Sequence, residues 1–419
     1  MKRVSAAKPF DISRQQVWDA YKAVRANAGA AGVDKETIAD FEANLKGNLY
    51  KIWNRMSSGS YFPPPVKAVA IPKKNGGVRI LGVPTVADRV AQTVVKQFLE
   101  PILEPHFLSD SYGYRPGKSA LDAIAVTRKR CWRYDWVLEF DIKGLFDNID
   151  HVLLLKALEK HTTCAWVTLY VKRWLTAPLQ REDGTLVERN RGTPQGGVVS
   201  PLLANLFLHY VFDVWLSRAT PNLPWCRYAD DGLVHCRTKE EAIAVKATLQ
   251  ARFAACGLEM HPDKTQIAYC KDAGRRGSYP NTKFDFLGYE FRPRQVKIRN
   301  STELSVSFTP AVSRRSLKAM RQRTRQLNFR NRSHLELKDI AQLFNPILRG
   351  WIGYYGQFCP SAMAPIYQHV NRTLKAWAMA KYKRLHRRKT LASTFLRNVA
   401  KQQPHLFVHW RFGHVATFA

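Results

Sequence analysis

The chain has 419 residues, 45% of them hydrophobic, which is enough for two or three domains with sizeable cores. Lysine and arginine number 66 against 33 aspartate and glutamate, so the formal net charge of +33 predicts a polyanionic partner such as nucleic acid. The 7 cysteines form no C-x-x-C pair, which argues against a zinc module or a disulfide framework. No signal core or membrane-length apolar run is present, and we expect a cytoplasmic protein.

The N-terminal part combines helices with a cationic hairpin. Apolar residues at helical spacing predict helices between residues 11 and 50. After a proline cluster, two β-rich runs flank the sequence KKNGG at 73–77, which predicts a hairpin with a basic tip. Lys73 and Arg79 of this hairpin are within reach of a triphosphate in one interpretation, and an ordinary solvated turn explains them equally well.

A predicted helix over 88–103 leads into the loop SYGYRPGKSA. Its Tyr114, Arg115 and Lys118 interleave aromatic and cationic side chains, as nucleic-acid contacts do. A packed aromatic turn is the alternative explanation of the same residues.

Two later stretches carry candidate site residues. The apolar run WVLEF ends at Asp141, and the end of a strand is a usual place for a catalytic group, although it is also a common place for a helix cap. After a predicted hairpin over 179–190, the glycine-rich segment RGTPQGG opens a long apolar helix, so the backbone around Gln195 can approach a ligand closely.

The stretch WCRYADDGLVHCR at 225–237 predicts strand, tight turn and strand, with Asp230 and Asp231 at the tip. Paired carboxylates there can hold Mg²⁺ through oxygen ligands. An Asp-Asp-Gly turn chosen only for its backbone conformation is the alternative.

The C-terminal quarter is strongly basic. We place a domain boundary at Thr309 and Pro310, where we predict the start of a long arginine-rich helix. From Ala311 onward there are 21 lysines and arginines against 2 acidic residues, so this segment supplies 21 − 2 = 19 of the 33 net charges. The run KYKRLHRRK keeps apolar residues at helical spacing, which predicts a basic amphipathic helix.

Asp141 and the pair Asp230-Asp231 each lie at a predicted strand edge. Three carboxylates converging there would hold two Mg²⁺ ions about 4 Å apart, the arrangement that activates a 3′-hydroxyl and stabilises a leaving pyrophosphate. Cations at Lys73 and Arg79 would balance the triphosphate charge. The sequence therefore points to polymerase chemistry.

The ordered segments resemble the successive palm motifs of reverse transcriptases, and in particular the group II intron-encoded reverse transcriptase/maturase family. The segments that carry the resemblance are WVLEFDIKGLFDNIDH, RGTPQGGVVSPLLANLFLHYVFD, RYADDGLVHC, GLEMHPDKTQI and FDFLGYEF. IPKKNGGVRILGVPT, SYGYRPGKSA and FNPILRGWIGYYGQF extend it over nearly the whole chain.

The resemblance implies an α+β, right-hand polymerase fold with fingers and an antiparallel palm sheet, followed by an all-helical thumb/maturase domain and a basic C-terminal helical tail. The corresponding expected boundaries are 1–135 for an N-terminal extension and fingers, 136–309 for the palm with part of the fingers, 310–385 for the thumb/maturase domain, and 386–419 for a basic, DNA-binding-like tail.

The resemblance also implies roles for individual residues. Asp141, Asp230 and Asp231 would be catalytic and bind two Mg²⁺ ions, with Mn²⁺ as a substitute. The expected nucleotide contacts are Lys73 and Arg79 on the triphosphate, Phe146 as the steric gate against a ribose 2′-hydroxyl, Gln195 near the nucleotide or template, and Lys264 near the primer or triphosphate. The expected nucleic-acid contacts are Arg115, Lys118, Arg314, Arg315, Arg321, Arg349, Lys381, Lys383, Arg384, Arg387 and Arg388.

The leading hypothesis is thus an RNA-directed DNA polymerase that binds its parent intron RNA, assists splicing and copies the RNA during intron mobility. Its partners would be intron RNA, template RNA with a DNA primer, target DNA and dNTP. Many family members end in an HNH endonuclease with paired cysteines, whereas Cys359 alone follows Cys270 here, so we expect the primer end to be made by another agent.

Three alternatives stay open at this point. The chain could be a splicing-only RNA-binding maturase, although intact Asp141, Asp230 and Asp231 argue for metal binding. A viral-type RNA-dependent RNA polymerase would have glycine where this chain has Ala229. A domesticated repair reverse transcriptase of the same fold is the third.

Overall fold

The computed structural model describes residues 8–72, 77–297 and 303–412. It is a mixed α/β structure with antiparallel sheets, in agreement with the expected α+β class. The chain divides into two compact units, one comprising residues 1–123 and 138–266 and the other residues 124–137 and 267–419. Among the described residues, no helix combines the length and the apolar character that crossing a membrane requires.

The α-helices of the described residues are, in chain order, α1 (Arg14–Asn27), α2 (Ile38–Ala43), α3 (Leu45–Ser57), α4 (Val86–Leu103), α5 (Ala120–Cys131), α6 (Leu145–Asn148), α7 (His151–Glu159), α8 (Ala165–Thr176), α9 (Ser200–Leu208), α10 (Val214–Ala219), α11 (Lys239–Ala255), α12 (Arg314–Gln326), α13 (Leu337–Tyr355), α14 (Ala364–Lys381) and α15 (Lys389–Gln402). A π-helical turn, His209–Asp213, joins α9 to α10.

The strands are β1 (Val66–Pro72), β2 (Val78–Val83), β3 (Trp136–Asp141), β4 (Leu179–Gln180), β5 (Leu186–Val187), β6 (Trp225–Tyr228), β7 (Asp231–Cys236), β8 (Gln266–Tyr269), β9 (Phe284–Phe286), β10 (Tyr289–Lys297) and β11 (Leu304–Val312). The predicted helices over 11–50 and 88–103 and the predicted hairpins over 179–190 and 225–237 are all confirmed at this level.

The predicted basic hairpin of the first unit is confirmed as β1 and β2, which pair antiparallel. β1 also pairs in parallel with β4, so the sheet order is β2-β1-β4-β5. The tip at residues 73–76, including Lys73, lies outside the described residues.

A second sheet of the first unit places β6, β7 and β3 side by side. Aromatic rings pack beneath it, because Phe140 of β3 lies 5.1 Å from Phe212 and 5.7 Å from Phe253, measured between ring centroids. This buried layer supports the strands from which the candidate catalytic residues project.

In the second unit, β9, β10 and β11 form a sheet in the order β11-β10-β9. The predicted helix start at Thr309 and Pro310 is wrong, because both residues lie within β11. β11 is at the edge of this sheet, where a proline without an N–H costs little. The arginine-rich helix α12 is confirmed but begins at Arg314, where the Ser313 side chain accepts a hydrogen bond from the Ser316 N–H.

The basic run 381–389 is not one amphipathic helix. α14 ends at Lys381, a short 3₁₀ turn covers Lys383–Leu385, and α15 begins at Lys389. Leu385 is buried in a core shared by α13, α14 and α15, so burying this side chain stabilises a turn where the periodicity predicted a continuous helix.

Candidate active site

The hairpin of β6 and β7 carries the two adjacent aspartates. Tyr228 pairs with Asp231, so Ala229 and Asp230 are the two turn residues, and Ala229 has a φ of +54°. Gly232 is not part of this turn. It lies in β7, where an added Cβ would come within 2.1 Å of the Phe140 ring, so glycine is required there by packing.

Asp141 ends β3 beside this turn. The Ile142 N–H donates to the Asp230 carbonyl at 3.3 Å, and the His261 N–H donates to the Asp141 carbonyl at 2.8 Å. Backbone hydrogen bonds on both sides therefore fix Asp141 next to Asp230.

The carboxylates are close enough to influence one another. Burial raises the pKa of Asp230, with a further contribution from the Asp141 charge. Burial, and then the charges of Asp230 and Asp141, raise the pKa of Asp231 to about 7. Like charges gathered in a partly desolvated place are costly unless a cation offsets them.

The cation that offsets them in this structure is Lys264. Its Nζ lies 2.7 Å from Asp141 Oδ2, and its side chain is 52% exposed. Within the described residues, no group of three histidine, cysteine, aspartate or glutamate side chains is arranged to hold a metal ion. The donor set nonetheless has the chemistry that Mg²⁺ prefers, since Asp141, Asp230 and Asp231 supply only carboxylate oxygens.

A fully buried ion pair lies behind the turn and was missed from the sequence. The Arg227 guanidinium donates to both carboxylate oxygens of Asp213, at 2.7 and 2.6 Å. It also donates to the Ser111 hydroxyl at 2.8 Å and to the Ala229 carbonyl at 3.2 Å. The sequence offered one indication of this pair, which is an arginine within the otherwise apolar strand β6. Nothing in the sequence identified Asp213, in the π-helical turn, as its partner.

The glycine-rich loop lies against the β1–β2 hairpin. The Gly82 N–H donates to the Gln195 carbonyl at 2.7 Å. The Arg79 Nε donates to the Gln195 Oε1, and the Gln195 Nε2 donates to Asp147 Oδ2 at 3.4 Å. The structure thus brings together Arg79 and Gln195, which the sequence assigned to the nucleotide, next to the residue that follows Phe146.

A buried polar chain fixes the end of this loop, and sequence reasoning did not find it. The Gln92 Oε1 accepts the N–H of Val198 at 2.7 Å and that of Val199 at 3.3 Å. The Gln92 Nε2 donates to Asp88 Oδ2 at 2.9 Å, and Trp174 Nε1 donates to Asp88 Oδ1 at 2.7 Å. The helix α4 therefore anchors the loop through side chains that resemble ordinary helix residues in the sequence.

Tyr114 also reaches the site. Its ring lies edge-on to the Phe146 ring, with a centroid distance of 6.5 Å. Burial raises the pKa of the Tyr114 hydroxyl, and the charge of the Asp230 carboxylate raises it further. The sequence marked Tyr114 only as part of an aromatic and basic loop.

Two of the predicted nucleic-acid contacts have partners within the fold. The Arg115 side chain is 5% exposed, and its guanidinium is taken up by Glu104 at 2.6 Å and by the carbonyls of Leu108 and Ser111. Lys381 donates to Glu336 at 2.6 Å and to the Leu335 carbonyl at 3.0 Å. Both cations are therefore engaged in stabilising their own fold, and their contact with nucleic acid stays a prediction.

The other predicted contacts stay predictions. Lys118 is half-buried and donates to the Ser109 carbonyl at 2.9 Å, and Arg321 is half-buried on α12. The remaining predicted cations are exposed on the second unit, namely Arg314, Arg315, Arg349, Lys383, Arg384, Arg387 and Arg388.

Two family models match the chain. The model described as reverse transcriptase (RNA-dependent DNA polymerase) matches residues 71–291. The model described as the maturase-specific domain of group II introns matches residues 317–395.

Similar curated proteins agree with these matches. Protein YkfC of Escherichia coli is 32% identical over 301 residues, which are 62% of this chain and 76% of that protein. Group II intron-encoded protein LtrA of Lactococcus lactis is 36% identical over 193 residues, 45% of this chain and 32% of LtrA. An uncharacterised 91 kDa protein in the cob intron of Schizosaccharomyces pombe is 27% identical and covers 83% of this chain and 50% of its own length.

Proposed function

Because the chain belongs to the reverse transcriptase family and carries a group II intron maturase-specific domain, we propose that it is an RNA-directed DNA polymerase that binds its parent group II intron RNA, assists splicing, and copies that RNA into DNA during intron mobility. The observation that carries the polymerase part is the position of Asp141 beside the turn that bears Asp230 and Asp231. Similarity to LtrA supports the intron part.

Within this proposal, residues 1–135 are the N-terminal extension and fingers, and residues 136–309 are the palm with part of the fingers. Residues 310–385 are the thumb/maturase domain, and residues 386–419 are a basic region that contacts DNA. The family-model boundary near residue 317 supports a functional division in this part of the chain.

Asp141, Asp230 and Asp231 are the proposed catalytic residues and ligands of two Mg²⁺ ions, for which Mn²⁺ would substitute. When bound, the ions would lower the pKa of the primer 3′-hydroxyl and stabilise the charge on the leaving pyrophosphate. Lys264 lies against Asp141, and its half-exposed side chain would contact the primer or triphosphate when metal ions take its place beside the carboxylate.

The proposed nucleotide site uses the residues around the glycine-rich loop. Arg79, and Lys73 at the hairpin tip, bind the triphosphate, since phosphoryl transfer depends mainly on positioning and charge stabilisation. Gln195 orients Arg79 through its side-chain oxygen, and Phe146 lies under the sugar as the steric gate.

The proposed partners are intron RNA, template RNA with a DNA primer, target DNA and dNTP. The exposed cations of the second unit, together with the 19 net charges from Ala311 onward, support a nucleic-acid surface there. Binding that neutralises phosphates releases counterions, so affinity should fall steeply as salt rises.

Primer extension tests the polymerase part. The full-length protein should extend a DNA primer on an RNA template with Mg²⁺, and Asp230→Ala should abolish extension. Asp183→Ala is the matched control, because Asp183 is an exposed aspartate in the turn between β4 and β5. No extension by the parent protein would contradict the polymerase proposal.

Identification of the bound RNA tests the maturase part. RNA that copurifies with the protein should be enriched in a group II intron that surrounds the coding sequence, and added protein should accelerate splicing of that intron. Accelerated splicing without primer extension would favour a splicing-only maturase. Random cellular RNA and no effect on splicing would contradict the intron part.

A further inference from the structure

An exposed tyrosine stands at the candidate nucleotide site without an assigned role. Tyr114 is 53% exposed, and its backbone has a φ of +57°, which is uncommon for a bulky residue. The backbone just before it is fixed, because the Asn205 Nδ2 donates to the Gly113 carbonyl at 2.7 Å. An added Cβ at Gly113 would come within 2.4 Å of the Ala229 N, so this segment packs directly on the catalytic hairpin.

The left-handed backbone of Tyr114 is thus held by its surroundings, and strained conformations that are held in this way are often functional. The same contacts tie the position of Tyr114 to the turn that carries Asp230. With the backbone held in this way, the Tyr114 ring contacts the ring of Phe146.

Phe146 is buried, with 9% of the residue exposed, and its backbone is anchored as well. The Thr193 N–H donates to the Phe146 carbonyl at 2.7 Å, and Phe146 is the second residue of the short helix α6. A backbone hydrogen bond does not set the rotation of the ring. The Tyr114 ring contacts the Phe146 ring edge-on, with a centroid separation of 6.5 Å and an interplanar angle of 77°.

We propose that Tyr114 is a positioning residue for sugar discrimination, which braces the Phe146 ring in the orientation that excludes a ribose 2′-hydroxyl. The inference rests on the proposed function, in which Phe146 is the steric gate. The half-exposed Tyr114 ring contacts the edge of the buried Phe146 ring, so it limits rotation of the gate ring away from a 2′-hydroxyl.

Single-nucleotide incorporation by the full-length protein tests this inference. For a DNA primer on an RNA template with Mg²⁺, kcat/KM is measured for a dNTP and for the matching rNTP. The variants are Tyr114→Ala, Tyr114→Phe and Phe146→Ala. Tyr50→Ala is the matched control, because Tyr50 on α3 is also 53% exposed.

We expect Tyr114→Ala to lower the preference for dNTP over rNTP by about two- to tenfold, as the loss of one aromatic pair would. Tyr114→Phe should keep the parent preference, since it keeps the ring, and Tyr50→Ala should also keep it. Phe146→Ala should lower the preference further than Tyr114→Ala.

An unchanged preference in Tyr114→Ala, with a lowered preference in Phe146→Ala, would overturn the bracing role and leave the proposed gate intact. An equal loss of dNTP and rNTP incorporation in Tyr114→Ala would also overturn it and would indicate that Tyr114 stacks on a base. An unchanged preference in Phe146→Ala would overturn both the gate and its brace. A parent protein that extends no primer would overturn the proposed function itself.

Discussion

Arg227 donates two hydrogen bonds, of 2.7 and 2.6 Å, to the carboxylate of Asp213, and neither side chain has any exposed surface. The same guanidinium donates to the carbonyl of Ala229, the residue that precedes Asp230. A buried pair of this kind couples the position of the turn to the π-helical segment that carries Asp213, because neither charge is stable without the other.

Breaking this pair should destabilise the first unit strongly. We expect Asp213→Asn to lower the free energy of unfolding by about 3 kcal/mol or more, since it leaves the Arg227 charge buried without a counter-charge. Asp183→Asn is the matched control, because Asp183 is an exposed aspartate in the turn between β4 and β5, and it should change stability by less than about 0.5 kcal/mol. Urea denaturation measures the free energy of unfolding of both variants and of the parent. A loss below about 1 kcal/mol in Asp213→Asn would contradict the prediction.

The anchor of the glycine-rich loop should matter for nucleotide binding. Gln92→Leu removes the acceptor of the Val198 and Val199 N–H groups, so we expect a loss of about 1–3 kcal/mol in stability. We also expect a raised KM for dNTP, because Gln195 lies in the same loop. Lys96→Ala on the same helix is the control and should leave KM unchanged. Equal KM values for Gln92→Leu and the parent would show that the loop does not depend on this contact.

Divalent cations should stabilise the protein even without substrate. Binding to the folded state at a concentration 100 times the dissociation constant adds about 2.7 kcal/mol, so Mg²⁺ or Mn²⁺ should raise Tm. Asp230→Asn should remove most of that increase, whereas Asp183→Asn should keep it. Calorimetry and the electron paramagnetic resonance signal of bound Mn²⁺ measure the effect without any turnover. An equal rise in Tm for parent and Asp230→Asn would contradict the proposed ligand set.

Acid should destabilise the first unit through His209. Burial, and then the nearby His161 and Arg227, lower the His209 pKa from its usual 6.5 to about 4. His209 therefore takes up a proton near pH 6.5 in the unfolded chain but only near pH 4 in the folded chain. The free energy of unfolding is at its full value above pH 6.5 and falls as the pH drops from 6.5 to 4. The contribution is about 3 kcal/mol.

The variant His209→Gln checks this assignment, because glutamine does not titrate. Between pH 6.5 and pH 4, the free energy of unfolding of His209→Gln should change less than that of the parent. This comparison does not depend on how stable the variant is at pH 7. Unfolding in urea at several pH values gives the comparison. Parallel pH profiles would assign the acid sensitivity to other groups.

Local sequence patterns predicted the hairpin of Asp230 and Asp231 well. The alternating apolar residues around Asp230 and Asp231 were sufficient to predict strand, turn and strand, and the apolar run before Asp141 was sufficient to place that residue at a strand end. The requirement for glycine at position 232 was not predictable from local sequence. It comes from close packing against the ring of Phe140, which is 92 residues away in the chain (232 − 140).

Long-range polar partners were also out of reach. Sequence gives the charge of Arg115 but not the burial against Glu104 that removes it from the surface. Likewise, Thr309 and Pro310 are typical of a helix start, and only the pairing of β11 with β10 shows that the strand continues to Val312. A basic residue is thus a candidate phosphate contact only once its exposure is known.

The last described helix has a practical consequence for protein production. Leu396 of α15 and the rings of Phe407 and Trp410 are buried in the same core as Trp377 of α14. A truncation at residue 395, where the maturase match ends, would remove Leu396, Phe407 and Trp410 and expose the rest of this core to water. A shortened protein for crystals or RNA-binding assays should therefore retain the chain at least through Trp410.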